Sequence, residues 1–302
     1  MSFMRPVLNK SLRLFERPHL ARVKEPEKLR RSFEMKARFW FRPPRGSQFR
    51  NETIDGVPVI WAHGPGATQD GPVILYFHGG GYVFGSARTH QAMLARLSHY
   101  AGRPACLADY RLAPENAFPA ALEDALSVYI ELSQRHPAIV IGGDSAGGGL
   151  ALSLLAEITK HGLKKPIGCF AFSPLTDIGF TGESVERNGK FDVVLPVERS
   201  DDMAGMYLQG ASPRDPRASP LFAAFDGKVP VWIGAGATEI LLDDTRRMAA
   251  HLRHSGTDVT EVIEDDLPHV WPIFHNLLPE AATTLKQVAT WINSRSGRLG
   301  DS

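Results

Sequence analysis

The chain has 302 residues, with 34 Lys/Arg against 33 Asp/Glu, 43% hydrophobic and 22% charged side chains, a composition that excludes disordered and fibrous proteins. No run approaches about 18 consecutive apolar residues, which rules out a membrane-spanning helix, and two cysteines, Cys106 and Cys169, are too few for a disulfide scaffold or a Cys-based zinc site. The net charge of +1 is a sum of unlike parts: residues 1–50 hold 14 Lys/Arg and 4 Asp/Glu, a net of +10, and the other 252 residues carry −9.

In chain order, the basic first 50 residues read as helical, with Arg42-Pro43-Pro44-Arg45-Gly46 as a terminator. Composition alone allows a nucleic-acid arm, a membrane-surface helix or a solvated helical face. The start of the chain lacks an apolar run of about 7–15 residues and a small-residue cleavage site, so no secretory signal is expected. With both thiols in apolar runs, a reducing cytoplasm is the expected location.

From residue 57 onward, β-rich runs at 57–61, 73–77, 105–108, 138–141, 167–172, 229–233 and 259–262 alternate with helical patterns at 88–101, 119–135, 146–161, 240–255 and 279–294. The runs at 73–77, 138–141 and 229–233 are continuously apolar, as strands covered on both faces should be. Strands alternating with helices predict an α/β fold with a mostly parallel central sheet flanked by helices. Residues 177–220 break the rhythm, with Phe191-Asp192-Val193-Val194-Leu195-Pro196, a helical stretch at 198–208 and a Pro-rich exit. Together with residues 1–50 they are expected to form a helical cap. The domain reading is therefore an N-terminal cap segment at 1–50, a catalytic domain at 51–176 and 221–302, and a cap insertion at 177–220.

The run 138–141 leads into Gly143-Asp144-Ser145-Ala146-Gly147 and then into a helix, the strand–turn–helix setting of a G-x-S-x-G nucleophile elbow. A strand turning sharply into a helix leaves no room for flanking side chains, and glycines at 143 and 147 would lift the Ser145 hydroxyl above the sheet. The competing reading is a glycine-rich phosphate loop, but the G-K-[ST] ending is missing. The run 73–77 is followed by His78-Gly79-Gly80-Gly81-Tyr82. Glycines there let backbone amides turn toward a ligand, so Gly80 and Gly81, joined by Ala146, are the expected oxyanion donors. His78 is read as a structural brace of that loop.

The ordered set HGGGY (78–82), DYRLAPENAFPAALEDA (109–125), GDSAGG (143–148), SPLTD (173–177), SPRDPRASPLFA (212–223) and LPHVW (267–271) resembles the hormone-sensitive-lipase-like esterases of the α/β-hydrolase fold. The resemblance implies the order Ser, acid, His, and puts His269 of Leu267-Pro268-His269 at the position of the base. His275 is the lesser alternative. The acid departs from the family pattern: Glu239 stands in the loop after the strand where an Asp is common, with Asp243 and Asp244 one turn into the helix. Glu239 is preferred and Asp243 remains open.

The expected function is that of a serine carboxylesterase for short- to medium-chain acyl esters, with Ser145, Glu239 and His269 catalytic and no metal or cofactor. An amidase, formamidase or sugar-ester deacetylase would use the same triad, and a non-catalytic ligand-binding relative would have lost Ser or His. Tyr82, Phe84, Val194 and Leu195 are expected to wall the acyl pocket, with ordinary packing as the alternative. The expected partner is a small-molecule ester, without nucleic acid or stable membrane association. The strand near 259–263 lies at a sheet edge able to pair between subunits in a homo-oligomer. In the implied architecture the N-terminal apolar residues Leu12, Leu14, Phe15, Phe33, Phe39, Trp40 and Phe41 bury against the insertion or line the entrance.

Overall fold

The computed structural model describes residues 2–68 and 71–296. Eight strands form one sheet in the order β1-β2-β4-β3-β5-β6-β7-β8. They are β1 (Gln48–Ile54), β2 (Val57–His63), β3 (Val73–Phe77), β4 (Ala105–Ala108), β5 (Ile139–Asp144), β6 (Gly168–Phe172), β7 (Val231–Gly236) and β8 (Val259–Glu264). The pairs β1/β2 and β2/β4 are antiparallel and all the others parallel.

Alternation along the central strands sends side chains to opposite faces. Leu75, Phe77, Ile139, Ile141, Val231 and Ile233 pack on one side with α5 (Ala120–Arg135), α6 (Ala146–Lys160) and α9 (Leu242–His254). Ile74, Tyr76, Val140, Phe170, Phe172 and Trp232 pack on the other with α4 (Ala87–Ala101) and α10 (Pro279–Ser296). Each fully buried Val, Leu, Ile or Phe contributes roughly 1.5–3 kcal/mol. That burial makes the sheet a rigid platform for the loops at its C-terminal edge.

The first strand was not expected: residues 1–50 are helical only as far as Trp40, and the boundary placed at residue 50 falls inside β1. Its sequence, Gln-Phe-Arg-Asn-Glu-Thr-Ile, is polar because this edge strand buries only Ile54. The missed signal is the turn, since Asp55 and Gly56 both have positive φ, 45° and 80°. An Asp-Gly pair in that geometry is a strong short-range mark of a hairpin.

Two groups of helices lie over the C-terminal edge of the sheet. The N-terminal group is α1 (Met4–Ser11), a π-helical turn at Leu12–Glu16, α2 (Arg17–Arg22) and α3 (Pro26–Trp40). The second comes from the insertion and contains α7 (Glu183–Asn188) and α8 (Ser200–Leu208). Much of the bonding between them runs from arginine to backbone carbonyl. Arg13 donates to the carbonyls of Lys190 and Phe191 at 3.1 and 2.8 Å, and Arg17 to that of Gly189 at 2.9 Å. Arg199 returns the contact, donating to the carbonyls of Leu20 and Val23 at 3.1 and 2.6 Å. Part of the basic excess of the first 50 residues is thus spent on donors to neutral acceptors.

Candidate active site

Ser145 sits between β5 and α6 with φ 52° and ψ −123°, a backbone conformation that costs a non-glycine residue about 1–3 kcal/mol. The surroundings enforce it. A Cβ at Gly143 would stand 2.1 Å from the carbonyl oxygen of Gly147, and one at Gly147 would stand 2.1 Å from that of Phe77. No side chain fits at either position, so strand and helix close up around the turn. The Ser145 amide donates to Phe172 at 2.9 Å and its carbonyl accepts from Gly149 and Leu175, which pins the turn on both sides.

The hydroxyl points at an imidazole. Ser145 Oγ lies 2.9 Å from His269 Nε2, and His269 Nδ1 lies 2.6 Å from Glu239 Oε2. Glu239 is buried in the turn after β7, and its other oxygen accepts from the Ser173 hydroxyl at 2.7 Å and the Gly236 amide at 2.6 Å. The Ser173 hydroxyl also accepts from the Val270 amide at 3.1 Å, which ties the acid to the loop bearing the histidine. Burial alone would lower the His269 pKa. The charge and hydrogen bond of Glu239 more than offset it, with Asp192 and Asp144 adding to the effect, so the imidazole is held above its ordinary value. Asp243 points elsewhere, accepting from the Ser184 amide at 2.7 Å and from Arg187 at 3.1 Å. His275 Nε2 lies 3.2 Å from the Arg42 carbonyl oxygen.

Beside Ser145 are three uncommitted amides. Those of Gly80, Gly81 and Ala146 donate no hydrogen bond among the described residues. Gly80 has φ 122°, and a Cβ there would meet the Phe84 carbonyl oxygen at 2.0 Å, so the loop needs glycine at that point. His78 stacks on Tyr110 with ring centroids 4.4 Å apart, while the Tyr110 hydroxyl donates to the His78 carbonyl at 2.7 Å. Burial, with neighbouring His90 adding to it, lowers the His78 pKa to about 4, so this ring is a neutral brace.

Ser145, His269, Gly80 and Gly81 face a cavity of about 650 Å³ with predominantly apolar walls. The N-terminal helices supply Leu12, Phe15, Phe33 and Trp40, and the insertion supplies Val194, Leu195 and Met203. Among the described residues no group of three or more His, Cys, Asp or Glu side chains is placed to hold a metal ion.

A family model described as the α/β-hydrolase fold matches residues 74–273. The chain belongs to this α/β-hydrolase family. An acetyl-hydrolase of Streptomyces hygroscopicus is 34% identical over 234 residues, covering 76% of this hydrolase and 78% of that protein. The crystal structure of EstE5 soaked with p-nitrophenyl butyrate superposes with a TM-score of 0.92 at 35% identity, over 98% of this chain and 100% of that one. An esterase of the bacterial hormone-sensitive lipase family superposes with a TM-score of 0.91, also at 35% identity, over 98% and 99%.

The expected walls of the hydrolase pocket divide. Phe84, Val194 and Leu195 line the cavity, and Phe84 meets Phe33 edge-on at 5.8 Å. Tyr82 does not line it: its ring is buried against Tyr207, with centroids 3.8 Å apart, in the packing beneath the loop. The glycine loop turns this side chain down while its neighbours' backbones face the cavity. Of the N-terminal apolar residues, Leu12, Phe15, Phe33, Trp40 and Phe41 line the cavity, whereas Leu14 and Phe39 point outward and are exposed.

Sequence reasoning assigned no role to His90, Ser173 or Asp192. Asp144, whose pKa burial would raise, is held below its ordinary value by His90, Tyr76 and His78; His90 Nε2 lies 3.3 Å from Asp144 Oδ1. Asp192 is buried in the insertion, where its carboxylate accepts from the amides of Val194 and Leu195 at 2.8 and 2.9 Å and of Ile240 at 2.9 Å. It joins two wall residues to the residue following Glu239. Burial raises its pKa, in part against the pull of His269. Asp192→Ala would leave the buried Ile240 amide and the half-buried amides of Val194 and Leu195 without their acceptor, and a loss of about 2–4 kcal/mol of stability is expected. Denaturant melts should show it, together with a larger rise in KM for longer acyl chains than for acetyl. An unchanged melt and unchanged selectivity would remove this role.

Proposed function

We propose that Ser145, His269 and Glu239 form the catalytic triad of a serine carboxylesterase acting on short- to medium-chain acyl esters. The hydrolase is a carboxylic ester hydrolase, and the observation that carries the triad assignment is the chain of contacts from Ser145 Oγ through His269 to Glu239, set beside three uncommitted amides. In the first half of the reaction His269 Nε2 takes the Ser145 proton as Oγ attacks the ester carbonyl. The resulting oxyanion accepts from the amides of Gly80, Gly81 and Ala146, and loss of one such donor commonly costs about 2.7–4 kcal/mol of barrier lowering. His269 then protonates the departing alcohol, leaving an acyl group on Ser145. In the second half a water gives its proton to His269 and attacks the acyl carbon, releasing the acid and restoring the hydroxyl. Glu239 stays ionised throughout, fixing the imidazole tautomer and stabilising the imidazolium. Acyl and proton transfer are complete with these groups and need no metal or redox partner.

An apolar cavity of about 650 Å³ supports acyl esters over charged substrates, as do the acetyl-hydrolase relative and the butyrate ester used with EstE5. Hydrolysis of p-nitrophenyl esters of increasing chain length is the direct test. Turnover on acetate and butyrate esters is expected, with a serine-directed sulfonyl fluoride modifying one residue, Ser145, by peptide mass mapping. Modification elsewhere with full loss of activity would overturn the assignment.

A further inference from the structure

Eight of the eleven large hydrophobic side chains that stand exposed among the described residues fall within residues 3–40. Phe3 at the start of α1, Val7 on it and Leu14 on the π turn after it recur at spacings of four and seven, forming one stripe. Met35 and Phe39 form a second, one turn apart on α3. These are not core faces left over by folding, because other sides of the same helices already bury Leu8, Leu12, Leu29 and Ala37. Basic side chains interleave with the stripes. Lys10, Arg38 and Arg42 are exposed and pair with no carboxylate among the described residues, in a segment whose net charge is +10.

The cavity opens within this surface. Phe15 and Trp40 both line it and are also 73% and 58% exposed, so they mark its mouth. An ion pair between Glu16 and Lys36, at 2.6 Å, bridges the two helices there.

We propose that this face docks reversibly on an anionic lipid surface, its apolar stripes entering the acyl boundary and its Lys/Arg meeting headgroup phosphates, so that a lipophilic ester reaches Ser145 through the mouth between Phe15 and Trp40. Only the last clause rests on the esterase reading. A helix with apolar residues and flanking cations lies in an interface without crossing it, and no described helix is long and apolar enough to cross a membrane. Charge selects the occupant. A second copy meeting this face with the same face would set the cations Lys10, Arg38 and Arg42 of each copy against one another, whereas an anionic surface is attracted to them. Exposed apolar side chains gathered in one segment in this way mark an interaction site.

Flotation of the full chain with phosphatidylcholine vesicles, and with vesicles of equal phosphatidylcholine and phosphatidylglycerol, tests the proposal. Binding to the mixed vesicles is expected to exceed binding to the neutral ones by at least about tenfold and to fall as salt is raised. The double variant Leu14→Asp, Phe39→Asp, at two exposed positions outside the cavity, is expected to lose at least about tenfold of that binding while p-nitrophenyl acetate hydrolysis stays within about twofold. Lys10→Glu with Arg38→Glu should remove the preference for anionic vesicles without disturbing any apolar contact. Equal binding to both vesicle types, or full binding by the Leu14/Phe39 variant, overturns the proposal. So does a concentration-dependent dimer in sedimentation velocity that this variant dissolves, because that assigns the face to a second copy. Failure of the wild type to hydrolyse p-nitrophenyl acetate would strike the esterase reading instead and leave the flotation result standing.

Discussion

Ser145→Ala is expected to lower kcat on p-nitrophenyl butyrate by about 10⁴–10⁶-fold, leaving the residue that oxyanion donors and substrate binding supply on their own. The size follows from the loss of the proposed nucleophile, with which His269 and Glu239 act as one unit. With no Oγ there is no acyl-enzyme, so the initial burst disappears along with turnover. The fold should survive, because Ser145 is anchored through its backbone amide and carbonyl and, among the described residues, its hydroxyl hydrogen-bonds to His269 alone. Stopped-flow burst amplitude and a thermal melt on the same sample check both halves. Turnover near that of the wild type in a cleanly folded alanine variant would exclude Ser145 as the nucleophile.

Glu239→Gln is expected to cost at least about 100-fold in kcat, in line with a triad whose imidazole is left in the wrong tautomer. The observed contacts dictate which way the new amide faces. Oε1 accepts from the Ser173 hydroxyl and the Gly236 amide, so the glutamine oxygen stays there and its NH₂ turns to His269 Nδ1. That nitrogen must then accept, which moves the ring proton to Nε2, where the Ser145 hydroxyl needs an acceptor. The pH profile should move as well. The base works as neutral imidazole, so kcat/KM falls as pH drops through the His269 pKa, which in the wild type lies above the ordinary value because Glu239 outweighs burial. With the carboxylate gone, burial is left to lower that pKa, and the acid limb of the residual activity should shift to lower pH. Asp243→Asn should keep kcat within about threefold, since its contacts are to Ser184 and Arg187 and reach no triad member. The opposite pattern, with Asp243→Asn crippled and Glu239→Gln active, would sink the assignment of the acid.

What the sequence could reveal followed the chain's local grammar. Continuous apolar runs located the buried strands, and the glycines flanking Ser145 located a turn that tolerates nothing larger. The step from β7 to Glu239 is readable as a strand end followed by an acid, with Asp243 as a competitor by spacing, and the engagement of the Asp243 carboxylate by α7 is a contact between distant segments. Other features depend on contacts between distant segments. Asp192 matters because three amides from two separate loops converge on it, which no spacing encodes. Tyr82 sat inside the motif for the pocket loop, yet the direction of its side chain depends on Tyr207, which comes from the insertion. Strand β1 hid because an edge strand with one buried residue carries almost no hydrophobic pattern, and only its Asp-Gly turn gave a local sign.

The order of the sheet also bears on how activity arises during synthesis. The glycine loop, Ser145, Ser173, Glu239 and His269 follow β3, β5, β6, β7 and β8, which are consecutive neighbours in the sheet. Neighbouring strands lie roughly 4.8 Å apart, so groups far apart in the sequence stand at adjacent loop ends. A nascent chain that has released Ser145 and the glycine loop still lacks His269, which arrives only behind the edge strand β8. Domains emerge from the ribosome N-terminal end first, so under the proposed mechanism Ser145 would stay without its base until the last part of the sheet has closed.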